Sequence, residues 1–224
     1  MRRGRKPDPQ RRQEVLDAVV DHLLEHGLSD LSLRPLAAAV GGTPKLLMHH
    51  FGSKEQLLIE AIRAVDERRA ALYEAWLAEG VAPQDVVLRG WQLQSTAQAL
   101  SYERFRLHVL AWALDNPDRY GEFLVSYNTA SLDLIEAGLE IDGVVDPEDR
   151  RRVATVVRAV LRGLYLDLMA SGDGARVEAA GFHYFAEQLR AWMDEMKAQG
   201  RMKTSRAPQH DWQMTIRRKD WGHQ

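Results

Sequence analysis

The sequence predicts an all-α protein with an N-terminal three-helix domain containing a helix-turn-helix, residues 1–54, and a larger helical domain, residues 55–199. Three observations support this prediction. Apolar residues recur at helical spacing, no segment has the alternating pattern and composition of a strand, and Gly, Pro, Ser, Thr and Asp punctuate the chain where helices would end. We expect residues 200–224 to form a disordered tail, because they lack helical periodicity.

An amphipathic helix over residues 10–26 opens the N-terminal domain. Its inward-facing positions are Val15, Leu16, Val19 and Leu23. Two short helices follow at residues 32–40 and 43–50. Gly41-Gly42 ends the first of them and permits a sharp turn, and Thr43-Pro44 begins the second with a hydroxyl N-cap and a proline at the first helical position.

The second helix of this pair leaves one face on the surface. Leu47 and Phe51 point inward, whereas the positions around Lys45 stay outside. A helix, a three-residue turn and a second helix form the geometry that places the second helix in a DNA major groove. The sequence therefore predicts DNA contacts from this pair and its flanks, at Ser32, Arg34, Thr43, Pro44, Lys45, Leu46, Met48, His49, His50 and Lys54.

Positive charge is concentrated at the two ends of a chain whose net charge is only −2. Residues 1–54 carry nine Lys or Arg against six Asp or Glu, whereas residues 55–200 carry 15 against 24. Such a distribution favours a polyanionic partner at one end. We expect a basic arm over residues 1–9 to contact DNA phosphates or the minor groove through Arg2, Arg3, Arg5 and Lys6, although a solubilising terminus explains the same residues.

Capping residues and chain breakers predict the remaining helices. Ser53 starts a long helix that leaves the first domain, Pro83 starts the next, and Pro147 starts another after the N-cap Asp146. The predicted ranges are 53–79, 83–100, 102–114, 118–139, 147–171 and 175–198.

Several classes of function lack their usual signatures. The chain has no cysteine, which excludes disulfides and thiolate metal sites and fits a reducing cytoplasm. It shows no signal peptide and no apolar run long enough to span a membrane. His22 and His26 have the spacing of a metal pair but no evident third ligand, and no catalytic motif is present. We therefore expect a cytoplasmic protein that is no enzyme and needs no metal or cofactor.

The N-terminal quarter resembles the TetR-type (tetracycline-repressor-like) family of transcriptional regulators. The resemblance covers RRQEVLDAVVDHLLEHGLSDLSLRPLAAAVGGTPKLLMHHFGSKEQLL, with Gly27, Gly41, His50-Phe51 and Ser53-Lys54-Glu55 at matching positions. Family members often carry an aromatic residue where this chain has Met48 and a β-branched residue where it has Gly42. The resemblance implies a homodimeric regulator, most often a repressor that a small molecule releases from a palindromic operator.

An uncharged, polar run at residues 90–102 marks the second domain. Apolar walls with a few neutral hydrogen-bonding groups are typical of small-molecule cavities, and the resemblance implies an effector pocket in this region. The alternative is that the aromatic residues fill an ordinary core. The candidate ligand-binding residues are Trp91, Gln94, Ser95, Gln98, Tyr102, Phe105, Arg106, Val109, Trp112, Phe123 and Tyr127.

The last two helices carry more apolar positions than one buried stripe requires. The alternatives are burial within one subunit and pairing with a second subunit, and the resemblance implies a four-helix dimer interface. The candidate interface residues are Val156, Ala159, Val160, Gly163, Leu164, Phe182, Phe185, Leu189 and Trp192.

The sequence thus predicts a ligand-responsive DNA-binding regulator. Two other interpretations stay open: a DNA-binding regulator without a small-molecule effector, and a helical protein-interaction module that has lost DNA binding. The predicted partners are a palindromic double-stranded operator, a second copy of the chain and an unidentified small molecule.

Overall fold

The computed structural model describes residues 8–27, 32–81 and 83–203. The predicted basic arm at Arg2, Arg3, Arg5 and Lys6 lies outside these ranges, as does the predicted tail from residue 204 onward. Within the described ranges the chain is helical without strands, as the sequence predicts.

Three helices form the N-terminal bundle: α1 (Pro9–His26), α2 (Leu33–Ala39) and α3 (Pro44–Phe51). Hydroxyl caps begin the second and third of them. Ser32 Oγ accepts a hydrogen bond from the backbone N–H of Arg34 at 3.3 Å, and Thr43 Oγ1 accepts one from Leu46 at 3.3 Å. Gly41 has φ +61°, a conformation that glycine adopts without strain, and it makes the turn between α2 and α3.

Five longer helices follow: α4 (Lys54–Ala78), α5 (Pro83–Gln94), α6 (Ala97–Leu114), α7 (Pro117–Ile141) and α8 (Pro147–Ser171). The predicted ends are confirmed within about three residues, except for the break that the sequence places near residue 101. In the structure the two helices are separated at Ser95-Thr96, because Thr96 Oγ1 caps α6 by accepting a hydrogen bond from Ala99 N–H at 3.2 Å. No glycine or proline marks this break.

The last helix, α9, is less regular than predicted. It consists of a turn at Gly174–Arg176, a π-helical segment at Val177–His183 and a regular α-helix at Tyr184–Ala198. Gly181 lies against the side chain of Leu164, so a Cβ at this position would clash with α8. The π-helical segment therefore accompanies a close approach of α9 to α8.

One hydrophobic core connects the N-terminal bundle to the larger domain. It begins at Val19 and Leu23 of α1, continues through Ile62 of α4, and reaches Phe105 of α6 and Phe123 of α7. The core therefore crosses the boundary at residue 54 that the sequence suggested between two domains. Ser101 Oγ in α6 also donates a hydrogen bond to the carbonyl oxygen of His26 at 3.3 Å, which joins α6 to the end of α1.

Residues 201–203, predicted to start a disordered tail, pack on the body. Met202 pairs with Val144, Lys203 N–H donates to the carbonyl oxygen of Gly143 at 2.8 Å, and Arg201 forms an ion pair with the buried Asp149. The order of these residues comes from tertiary contacts that helical periodicity does not report.

Candidate functional site

The exposed face of α3 is the first candidate site. Leu47 and Phe51 anchor the helix in the core, with 0 % and 5 % of their surfaces exposed. Their burial fixes the rotation of α3, so that Lys45, Met48 and His49 project to solvent. Among the other described DNA-binding candidates, Arg34, Thr43 and Pro44 are exposed, whereas Ser32, Leu46, His50 and Lys54 are partly buried.

Arg12 holds α3 in place from the side of α1. Its Nε donates to the carbonyl oxygen of His50 at 3.1 Å, its guanidinium forms an ion pair with Glu60 of α4, and it lies 4.6 Å from the centre of the Phe51 ring. Burial and the neighbouring His49 lower the pKa of His50. His50 is therefore partly buried on the seam between helices, where its charged form is disfavoured.

A cavity of about 230 Å³ in the larger domain, partly open to solvent, is the second candidate site. It is lined by α4 to α9, and its wall is mostly apolar, with side chains such as Leu134, Ile135 and Met193. Four of the ligand-binding candidates line it, namely Trp91, Gln94, Arg106 and Tyr127. Gln94 donates a hydrogen bond to the hydroxyl of Tyr73, another lining residue.

The other seven ligand-binding candidates lie elsewhere. Four of them belong to the core that joins the two domains: Tyr102, Phe105, Val109 and Phe123. Trp112 packs against Tyr120 with ring centres 4.2 Å apart, Ser95 is buried at the break between α5 and α6, and Gln98 is exposed.

A buried ionic network lies between α4 and α6 at one side of the cavity. Glu103 is 2 % exposed and accepts hydrogen bonds from Arg69, at 2.6 Å, and from Arg106, which also lies 3.8 Å from Asp66. Burial favours a higher pKa for Glu103, but the two guanidiniums outweigh it and lower the pKa. Burial raises the pKa of Asp66. Arg106, one of the candidate ligand-binding residues, is therefore already engaged by Glu103.

Two arginines of α8 form a second charged group in the cavity wall. Arg158 donates to the carbonyl oxygen and the side-chain oxygen of Asn128 at 2.9 and 2.7 Å, and Arg162 lies 3.4 Å from the same side-chain oxygen. Arg162 also stacks over the Tyr127 ring at 4.6 Å from its centre. Neither arginine was predicted from the sequence. Their signal was present as charges four residues apart beside the apolar positions Val157 and Leu161.

Asp142, a third ionisable group of the cavity wall, follows the end of α7. Asp142 is 8 % exposed, and burial raises its pKa to about 6. Asp142 was not predicted from the sequence, and neither were the α4 side chains Asp66, Arg69 and Tyr73.

The candidate interface residues of α8 form an exposed stripe. Val156 is 54 % exposed, Ala159 is exposed, and a side chain added at Gly163 would meet open space. Val160, Leu164, Phe185 and Trp192 are partly buried, while Leu189 lines the cavity. The side chain of Phe182 lies outside the described part. The exposed apolar surface on this side of α8 is available for contact with a partner.

No cluster of three or more potential metal ligands occurs in the described parts of the chain. His22 and His26 stack on each other with ring centres 4.7 Å apart. None of the described helices is long and apolar enough to cross a membrane.

The sequence is similar to those of known transcriptional regulators. Residues 15–61 match the family model described as bacterial regulatory proteins, tetR family. The HTH-type transcriptional regulator BetI of Agrobacterium fabrum is 27 % identical over 207 residues, which cover 88 % of this chain and 97 % of the relative. BetI of Rhizobium meliloti is 25 % identical over 178 residues, which cover 77 % of this chain and 85 % of that relative.

Solved structures share the fold at lower identity. A TetR-family transcriptional regulator from Rhodococcus sp. superposes with a TM-score of 0.58 at 18 % identity, over 82 % of this chain and 98 % of the neighbour. A transcriptional regulator from Saccharomonospora viridis in complex with choline has a TM-score of 0.55 at 20 % identity, over 84 % of this chain and 97 % of the neighbour.

Proposed function

Because this chain belongs to the TetR family of bacterial transcriptional regulators, we propose that it is a cytoplasmic, homodimeric repressor that a small molecule releases from a palindromic operator. One observation carries the proposal. The long helix α4 begins at the end of the DNA-facing helix α3 and continues into the wall of the cavity, where it contributes Asp66, Arg69, Tyr73 and Leu77. A ligand that contacts α4 differently in two arrangements of the dimer would change operator affinity.

The size of the cavity supports a small effector. Pockets that hold drug-sized ligands usually measure about 300–1,000 Å³, whereas this cavity measures about 230 Å³. Its lining residues come from six helices, which would allow a bound molecule to favour one arrangement of the domain over another. We propose that the residues from 55 to 199 form the effector and dimerisation domain and perform no catalysis.

The dimer follows from the symmetry that a palindromic site requires. The exposed apolar stripe of α8 supports pairing through α8 and α9. Lys45, Met48 and His49 of each subunit would then enter successive major grooves, and the basic arm would add phosphate contacts.

A DNA-binding titration tests the proposal. DNA upstream of the chain's own coding region should be shifted at lower protein concentration than a scrambled duplex of equal length, and a footprint should show a two-fold symmetric site. A reporter fused to that region should be repressed in cells. Equal affinity for both duplexes would contradict the proposal and favour the interaction-module interpretation. Sequence-specific binding that no compound in a metabolite library weakens would favour a regulator without an effector.

A further inference from the structure

The arginines of the cavity wall are not equally neutralised. Arg69 and Arg106 share the carboxylate of Glu103, and Arg106 also approaches Asp66. In contrast, Arg158 and Arg162 form no ion pair with any carboxylate in the described parts of the chain, and both rely on the neutral side chain of Asn128. In the described parts of the chain, these two cations of the cavity wall thus lack the direct carboxylate contact that Arg69 and Arg106 have.

The surroundings of these two arginines would favour a paired anion. Arg158 Nε is buried without a hydrogen-bond partner. Burial lowers the pKa of Arg162 and the nearby guanidiniums of Arg158 and Arg106 add to the effect, whereas Tyr127 and Asp66 act in the opposite direction. Both arginines are partly buried and lack a paired anion in the described parts of the chain, and a ligand carboxylate would supply the bidentate acceptor that their planar geometry fits.

The carboxylates that line the cavity offset this charge only in part, through the attraction between Asp66 and Arg162. Asp66 is already shared with Arg106, and burial raises the pKa of its carboxyl group. Asp142 borders the cavity, but it forms no ion pair with Arg158 or Arg162 in the described parts of the chain, and burial raises its pKa as well. The positive excess at the α8 wall therefore persists in the unliganded protein.

The rest of the cavity suits an apolar body. Trp91 and Tyr165 stack with ring centres 4.9 Å apart, and aliphatic side chains such as Leu134, Ile135 and Leu161 complete the wall. We propose that Arg158 and Arg162 anchor the carboxylate of a small monocarboxylic acid whose apolar part lies against this wall. The inference rests on the proposed function, in which the cavity receives the effector.

A cationic ligand is the main alternative, since the neighbour from Saccharomonospora viridis holds choline. A quaternary ammonium group needs free aromatic faces or an unpaired carboxylate. Here Trp91 and Tyr165 cover each other, and Arg106 approaches Asp66. Asp142 is the other carboxylate of the wall, and burial disfavours its charged form. A cation would also be repelled by the guanidiniums of Arg158 and Arg162. The charge of the cavity thus favours an anion.

Ligands of similar shape and different charge distinguish an anion site from a cation site. Full-length protein is titrated by calorimetry with hexanoate, benzoate and phenylacetate, with the corresponding alcohols, and with choline. We expect at least one carboxylate to bind at least tenfold more tightly than its alcohol and than choline. The inference is overturned if the alcohols match every carboxylate, if choline binds more tightly than all of them, or if no carboxylate binds.

Arginine variants test whether Arg158 and Arg162 bind the carboxylate. Arg158→Gln and Arg162→Gln should each weaken carboxylate binding at least tenfold and leave alcohol binding unchanged. Arg152→Gln, on the same helix but 69 % exposed and paired with Glu148, is the matched control and should bind like the parent. Melting temperatures of the unliganded Arg158→Gln and Arg162→Gln proteins should not fall below that of the control. Equal carboxylate affinity in all three variants would overturn the inference.

Operator binding is measured on the same samples. If choline or an alcohol binds and releases the operator, the proposed regulator stands and only the carboxylate site is rejected. If operator binding itself is absent, the proposed function fails, whereas the calorimetric comparison still decides whether the arginine pair holds a carboxylate.

Discussion

Arg69 in α4 donates a hydrogen bond of 2.6 Å to Glu103 in α6, and the carboxylate that accepts it is almost wholly buried. This ion pair joins the helix that leaves the DNA-binding bundle to the helix that packs on α1. It therefore lies where the cavity, the long helix and the N-terminal bundle meet.

Replacing Glu103 by Gln should destabilise the protein strongly, because two buried guanidiniums would lose their shared carboxylate. Removing one partner of a buried ion pair costs about 3–5 kcal/mol, and urea denaturation at neutral pH measures the loss. Glu148→Gln is the control, since Glu148 is 76 % exposed and its pair with Arg152 contributes little. Similar midpoints for the two variants would show that the buried network does not stabilise the fold.

The pH dependence of that loss has a defined sign. The pKa of Glu103 is lowered in the folded protein, so its contribution is present above the pKa of an unfolded Glu and disappears as the pH falls through the folded value. The stability difference between parent and Glu103→Gln should therefore shrink in acid. A difference that does not change with acidification would mean that the carboxylate is not ionised in the folded state.

Asp142 should show the opposite behaviour. Burial raises its pKa from 3.8 to about 6, so the folded protein binds a proton that the unfolded chain has released, and stability falls as the pH rises through this window. Asp142→Asn should stabilise the protein at pH 7.5 by on the order of 3 kcal/mol and remove that part of the pH dependence. Asp194→Asn, at an exposed position, is the control in thermal melts at several pH values. Parallel pH curves for parent and Asp142→Asn would contradict the raised pKa.

Much of the fold could be predicted, because the signals that end helices are local. Ser32, Thr43 and Ser53 accept the predicted capping hydrogen bonds, and Gly41 makes the predicted turn. The break at Thr96 was misplaced because its cap looks like any polar residue within a helix. The cavity was predicted only in part. Trp91 and Gln94 could be predicted together because they lie on one face of one helix. The contact of Arg162 with Asn128 could not, because it depends on how α7 packs against α8.

The DNA-binding surface predicts a specific role for Lys45, an exposed cation near the N-terminus of α3. Lys45→Ala should weaken operator binding by about 1–3 kcal/mol and relax discrimination at one base pair if the ammonium group reads a guanine edge. Fluorescence anisotropy with the operator and single-base variants measures both effects. Lys197→Ala, an exposed lysine at the far end of α9, is the control. A uniform loss of affinity across all sequences would assign Lys45 to a phosphate.

The exposed stripe on α8 predicts the position of the dimer interface. Gly163→Arg should place a large charged side chain among Val156, Ala159 and Leu166 and separate the subunits, because an unpaired charge buried at an interface is costly. Sedimentation equilibrium measures the dissociation constant. Gly121→Arg provides the comparison, since Gly121 also lies in a helix where an added Cβ would meet no other atom within 4 Å, but on α7. Dissociation caused by Gly121→Arg alone would move the interface to α7.

Substitutions at Gln94 and Trp112 distinguish a residue of the cavity wall from a residue outside it. The sequence predicted both as ligand contacts, but the structure places only Gln94 in the cavity wall. Gln94→Ala removes a polar group that bonds to Tyr73, so it should weaken the response to a ligand that releases DNA from the parent and leave ligand-free operator binding nearly intact. Trp112→Ala instead removes a ring packed on Tyr120 and should lower the free energy of unfolding by roughly 3 kcal/mol. Operator titrations with and without ligand, combined with urea denaturation, distinguish the two effects.

If Trp112→Ala changes the ligand response while its stability stays at the parental value, the effector site extends to α6 beyond the cavity. A parental ligand response in Gln94→Ala would instead remove that side chain from the set of ligand contacts.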